Sequence, residues 1–168
     1  TFTTALINLA RSGSKSTLNI LGGSVTNTGM AIGQTTVNHQ PKPSTGVVWL
    51  ANGVFHTGSI TLGTVSNSVG ILRQSDGLFQ TQALSLGSGE RSLGVYTQEG
   101  GTARCSAIYA GAGPGALGEV DVAGGALTVQ GTVYIGNGNR GTGRLLQSGG
   151  SVLCNQLRAG AVAGSTGE

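Results

Sequence analysis

Glycine returns in this chain every 24 residues, as in Gly53, Gly77, Gly101 and Gly125. Two further series keep the same step: Gly63, Gly87 and Gly111, then Gly46, Gly70, Gly94 and Gly118. With Gly23 and Gly150, Gly33, Gly136 and Gly160, and Gly143 and Gly167, the series divide the chain into units 17–46, 47–70, 71–94, 95–118, 119–143 and 144–167. Such self-similarity implies a solenoid, because each unit can bury its apolar face only against its neighbours. The first unit carries an insertion around 39–44, and the fifth carries one extra residue near Gln130-Gly131. Residues 1–16 fit the back part of an earlier unit, with Ala10 at the place of Gly33 and Phe2 at that of Phe55 and Phe79. The chain reads as a single β-solenoid over 1–168 that begins and stops within a coil, either as mature protein or as a window of a longer one.

Within a unit the apolar residues fall in columns. Position 2 holds Leu18, Val48, Leu72, Tyr96, Val120 and Leu145, and position 9 holds Val25, Phe55, Phe79, Ala103, Leu127 and Val152. Position 14 holds Met30, Ile60, Leu84, Ile108, Val133 and Leu157, and position 16 holds Ile32, Leu62, Leu86, Ala110, Ile135 and Ala159. Their neighbours are mostly Thr, Ser, Asn, Gln or Arg, so the pattern has period two and predicts strands with one buried face. About three short strands per unit are expected, each ended by Gly or Asn. Helix is excluded by glycine, which costs roughly 1 kcal/mol relative to Ala inside a helix. The prediction is an all-β fold, a right-handed parallel β-helix of about seven coils spaced ~4.8 Å apart. Glycine is expected at its corners, where the chain turns through φ > 0, and the preceding Asn52 and Asp76 suit the same conformation.

Composition narrows the function classes. Only 9% of residues are charged and 4% aromatic, and the net charge of +3 reflects scarce acids. Seven arginines (Arg11, Arg73, Arg91, Arg104, Arg140, Arg144 and Arg158) are scattered rather than clustered, which disfavours a nucleic-acid partner. No apolar run is long enough to span a membrane as a helix. No Asn-x-Ser/Thr sequon occurs, so N-glycosylation is not expected, while outward Ser and Thr leave O-linked sugars open.

Candidate sites were sought among the residues that carry chemistry. Glu119 and Asp121 sit two apart on one strand with no partner acid across a cleft, unlike a glycosidase pair. His39 falls in the insertion, and His56 lies far from the acids in register. No nucleophile triad or metal cluster emerges, so no catalytic, cofactor or metal residue is assigned and the chain is not expected to be an enzyme. Gly136 to Gly141 resembles a phosphate loop only superficially, since a strand repeat rather than a helix follows it. Cys105 and Cys154 share position 11 two coils apart, too far for a disulfide, and are expected as core thiols. Tyr109, Tyr134 and Arg158 should form an outward ladder, read either as simple stacking or as a sugar-binding strip. Glu119, Arg144 and Glu168 should alternate in charge along the axis, and Trp49 should point outward, either under the inserted loop or into a lateral contact. Gln74, Gln98 and Gln147 occupy an inward column and are expected to form an amide ladder.

The segment from Gly131 through Tyr134, Gly136, Gly138, Gly141 and Gly143 to Leu145, Gly149, Gly150 and Val152 carries a recognisable repeat. It resembles the repeat of bacterial autotransporter passenger domains and PEP-CTERM-associated repeat proteins. The resemblance extends over nearly the whole chain and is cleanest across 119–167. It implies an exported, surface-displayed β-helix used in adhesion, matrix or fibre formation, with no catalytic residues. On that basis the expected function is a structural extracellular segment of a surface fibre, filament or adhesin stalk. Its partners would be further copies or coils of itself, and glycans or a host or matrix surface. A host-cell adhesin that binds its receptor through the 39–44 loop, and a carbohydrate-active or carbohydrate-binding β-helix, are the alternatives.

Overall fold

The computed structural model describes residues 1–34 and 42–168. In chain order its strands are β1 (Phe2–Arg11), β2 (Lys15–Ile20), β3 (Ser24–Gln34), β4 (Thr45–Leu50), β5 (Val54–Leu62), β6 (Val69–Gln74) and β7 (Leu78–Leu86). They continue as β8 (Leu93–Gln98), β9 (Thr102–Ala110), β10 (Leu117–Val122), β11 (Ala126–Ile135), β12 (Thr142–Gln147), β13 (Ser151–Ala159) and β14 (Thr166–Gly167). Odd-numbered strands form one 7-stranded parallel sheet and even-numbered strands the other, each running in coil order. The chain is a β-solenoid of about 7 coils of ~24 residues, and no described residue is helical. The expected register is the one found: Phe2 pairs with Val25, Val25 with Phe55, and Phe55 with Phe79. The extra residue of the fifth coil is absorbed as a bulge between Val129 and Thr132. Of the insertion expected at 39–44, residues 39–41 lie outside the described residues, Lys42 and Pro43 are exposed, and Ser44 is buried.

The sheets correct one expectation. There are two strands per coil, because the second and third predicted strands are one bent strand. In β7 the buried residues are Phe79 and Thr81, then Leu84 and Leu86, so the alternation slips by one residue midway. The ladder skips position 12: Thr57 pairs with Thr81 and Ser59 with Ala83, with Gly58 and Gln82 between them unpaired. Buried polar groups at position 11 brace this bend. Asn27 Nδ2 donates to the Gly29 carbonyl at 2.9 Å, Thr57 Oγ1 to Ser59 at 3.0 Å, and Thr81 Oγ1 to Ala83 at 3.1 Å. From the fourth full coil onward Cys105, Val129 and Cys154 fill the same place as apolar packing.

The core is a column between the sheets. Phe55 stacks on Phe79 at 5.6 Å between ring centroids, and Tyr96 reaches from the opposite sheet to 5.7 Å from Phe79. The Tyr96 hydroxyl is 2.8 Å from Gln74 Oε1 and 3.3 Å from Gln98 Oε1. Burial first, and the nearby Cys105 second, hold this phenol protonated well above its usual range. The glutamines do not ladder to one another as expected. Gln74 Nε2 instead donates to the carbonyls of Gly77 (3.0 Å) and Thr102 (3.1 Å), and Gln98 Nε2 to those of Gly101 (3.3 Å) and Ala126 (3.2 Å). An inward amide therefore ties its own corner to the next coil, supplying donors that the aliphatic side chains in this column lack. Gln147 makes the same bond to Gly150 but is exposed, because no coil lies above it.

The glycines serve two physical ends, where the sequence suggested one. Gly77 and Gly87 turn corners in the left-handed region, at φ 80° and 63°. Ala10, aligned with the second of these series, takes the same conformation at φ 58°. Asn52 and Asp76 are not left-handed themselves; their side-chain oxygens accept from the following glycine N–H at 2.6 and 2.7 Å. Gly70 has ordinary φ, but a Cβ there would lie 2.7 Å from Leu62 Cα. It marks the close approach of the two sheets. A third left-handed column, Asn67, Arg91, Gly115, Arg140 and Gly164, was invisible in sequence because glycine does not dominate it.

Candidate functional site

The residues singled out by sequence do not converge. Glu119 and Asp121 lie on the outer face of β10, and their register neighbours are Val95, Thr97, Arg144 and Leu146, none of them an acid. His56 stands on the outer face of the other sheet, between Thr26 and Gln80. His39 lies outside the described residues. Among the described residues no group of three or more His, Cys, Asp or Glu is placed to hold a metal ion. No helix among them is long and apolar enough to cross a membrane.

The thiols sit where the register put them, separated by Val129. Both are free. Cys105 is buried, and desolvation pushes its thiol up to about 12, so it is a poor nucleophile. Cys154 belongs to the last full strand and is only half-buried.

The outer faces carry axial ladders. Tyr109 and Tyr134 stack at 5.1 Å with their planes 7° apart, and the Arg158 guanidinium lies 5.8 Å from the Tyr134 centroid. The ring faces are turned toward one another along the axis, which leaves edges, not a platform, for a sugar. Arg144 Nε meets Glu168 Oε2 at 2.7 Å, with Glu119 next in the column. Trp49 is exposed; its Nε1 donates to Ser75 Oγ at 3.0 Å, and Ser75 Oγ is 3.2 Å from Glu99 Oε2. Glu99 also pairs with Arg73, whose hydrogen bond holds its carboxyl below the usual range. Trp49 thus belongs to a surface hydrogen-bonded chain.

The two axial faces expose the ends of the inward columns. The position-9 column is closed at Phe55 and Phe79 (both 0% exposed) but open at Phe2 (57%). The position-14 column is closed at Ile60 and Leu84 (both 0%) but open at Leu157 (53%). Nothing polar replaces the apolar residue of the column at either place. The outer edges of β1 and β13 also carry backbone groups with no strand beside them, the arrangement that recruits another strand. No family model matches the chain, and no curated protein or solved structure matches it either.

Proposed function

We propose that this chain is a structural stretch of an extracellular β-solenoid, part of a surface fibre or adhesin stalk. It extends along its axis through further coils, supplied by a longer chain or by another copy. The observation that carries this reading is the opening of the inward columns at Phe2 and Leu157. Fully burying a large apolar side chain is worth about 1.5–3 kcal/mol, so covering each half-open residue favours stacking by roughly 1 kcal/mol, with the backbone ladder added. The resemblance of the repeat to autotransporter and PEP-CTERM-associated proteins supports an exported setting. Among the described residues no pair of acids faces another across a cleft, so nothing there favours the carbohydrate-cleaving alternative.

Sedimentation of the purified chain over a range of concentrations tests the reading. Association that rises with concentration, and is lost in a Phe2→Lys, Leu157→Lys variant of unchanged circular dichroism, is the expected result. A chain that stays monomeric at high concentration would overturn stacking of copies, and a variant that assembles as the parent does would overturn Phe2 and Leu157 as the contact.

A further inference from the structure

One outer surface has polar groups with nothing to bind. On the odd-numbered sheet, positions 10 and 12 flank the strand bend. Their side chains wall two adjoining depressions that share His56 and Gln82 and run from Thr4 to Gln130. That path crosses six coils, roughly 24 Å at ~4.8 Å per coil. The amides of Gln80, Gln82 and Gln130 and the guanidinium of Arg104 line it, and none makes a hydrogen bond or ion pair with another described residue. Arg73, Arg91 and Arg144 each face a carboxylate, whereas Arg104, like Arg140 and Arg158, faces none among the described residues. No Asp or Glu lines the groove.

We infer that this groove binds a linear uronic-acid polysaccharide lying along the solenoid axis. The lining selects the ligand class. Amides and hydroxyls repeated at coil spacing offer paired donors and acceptors to successive sugar hydroxyls. The Arg104 guanidinium, which has no carboxylate beside it, supplies a fork that matches a carboxylate. Single-stranded nucleic acid would stack its bases on aromatic side chains, and no Phe, Tyr or Trp lines the groove. A peptide adding as a strand would need an unpaired sheet edge, but β3, β5, β7, β9 and β11, which form most of the groove, already bond on both sides. The groove also lacks the apolar or aromatic pocket that would anchor peptide side chains. The inference does not rest on axial assembly, because a single coil stack contains the whole groove.

The test is calorimetric titration of the chain with a short oligogalacturonate. The comparison ligands are the same oligomer with its carboxylates methyl-esterified and a poly-glutamate peptide of similar charge. Saturable binding of the oligogalacturonate is expected, weaker binding of the ester, and none of the peptide. Arg104→Ala should weaken binding roughly tenfold or more, in keeping with a charge-assisted hydrogen bond. Arg91→Ala, at a distant corner, should leave it unchanged. All these side chains are exposed, so each variant is expected to keep the parent melting curve. Absence of oligogalacturonate binding, equal binding of poly-glutamate, or equal loss in Arg91→Ala would each overturn the assignment.

Discussion

Alanine at Gly70 separates the two roles of glycine in this fold. Gly70 has ordinary φ, so alanine is conformationally permitted and removes unfolded-state freedom, a gain of about 0.4–1 kcal/mol. Against that stands space. The new Cβ would lie 2.5 Å from Gly63 N and 2.7 Å from Leu62 Cα, where ordinary contact begins at 3.4 Å, so the backbones must part by the larger difference, 0.9 Å. Both sides of this contact are backbone in paired strands, and no side chain can swing aside. Overpacking of this kind costs about 1–3 kcal/mol, occasionally more. The net expectation is a loss of about 1–2 kcal/mol, a melting temperature lower by roughly 2–8 °C in a chain of this length. Gly29 is the control: its φ is also ordinary, and a Cβ there would meet Leu6 Cδ1 at 3.5 Å, Ser59 Oγ at 3.7 Å and the Ser59 carbonyl oxygen at 3.8 Å, all ordinary contacts. Gly29→Ala should melt at or above the parent by about 1–4 °C, because only the entropic gain remains. Thermal unfolding followed by circular dichroism reads both. A Gly70→Ala chain at least as stable as the parent, or a Gly29→Ala chain destabilised as strongly, would refute the close-approach argument.

Three further outcomes follow from the buried network and the surface pairs. Tyr96→Phe strips the buried Gln74 Oε1 of its donor and should cost about 1–3 kcal/mol in denaturant unfolding, while the outward Tyr109→Phe should be nearly neutral. Alkylation at mildly alkaline pH, read by peptide mass, should modify Cys154 before Cys105, whose buried thiol titrates only at about 12; prior labelling of Cys105 would contradict its burial. Glu99 has a folded-state titration lowered by Arg73, so its contribution is present above the ordinary carboxylate range and lost as pH falls through the lowered value. The pair is exposed, so this loss should be small, weakened by salt and absent in Glu99→Gln; an acid transition identical in that variant would remove Glu99 from the account.

The period, the coil boundaries and the core columns were legible in the sequence because each coil repeats the same constraint. Even the alignment of Ala10 with Gly33 and the extra residue at Gln130-Gly131 could be placed from columns alone. Strand number was not legible. The slip between Thr81 and Leu84 looks in sequence like the end of one strand and the start of another. Only the pairing of Ala83 with its neighbours shows that the ladder runs on. The roles of Gln74 and Gln98 were misread because inward amides in stacked strands commonly pair with one another, whereas here corner carbonyls lie within reach. The polar groove escaped notice for a different reason. It arises from residues 23 to 30 apart in the chain that matter only as a set, such as Thr3 with Thr26, Thr26 with His56, or Gln80 with Arg104.

The central claim is that the open columns make this solenoid one segment of a longer axial stack. Electron cryomicroscopy of the protein in its native setting tests it most directly. The account predicts an unbranched rod with a continuous strand spacing of ~4.8 Å along its axis, the coil step running unbroken past Phe2 and Leu157. A compact particle whose end coils are covered by a cap of different structure, with no axial continuation, would contradict it.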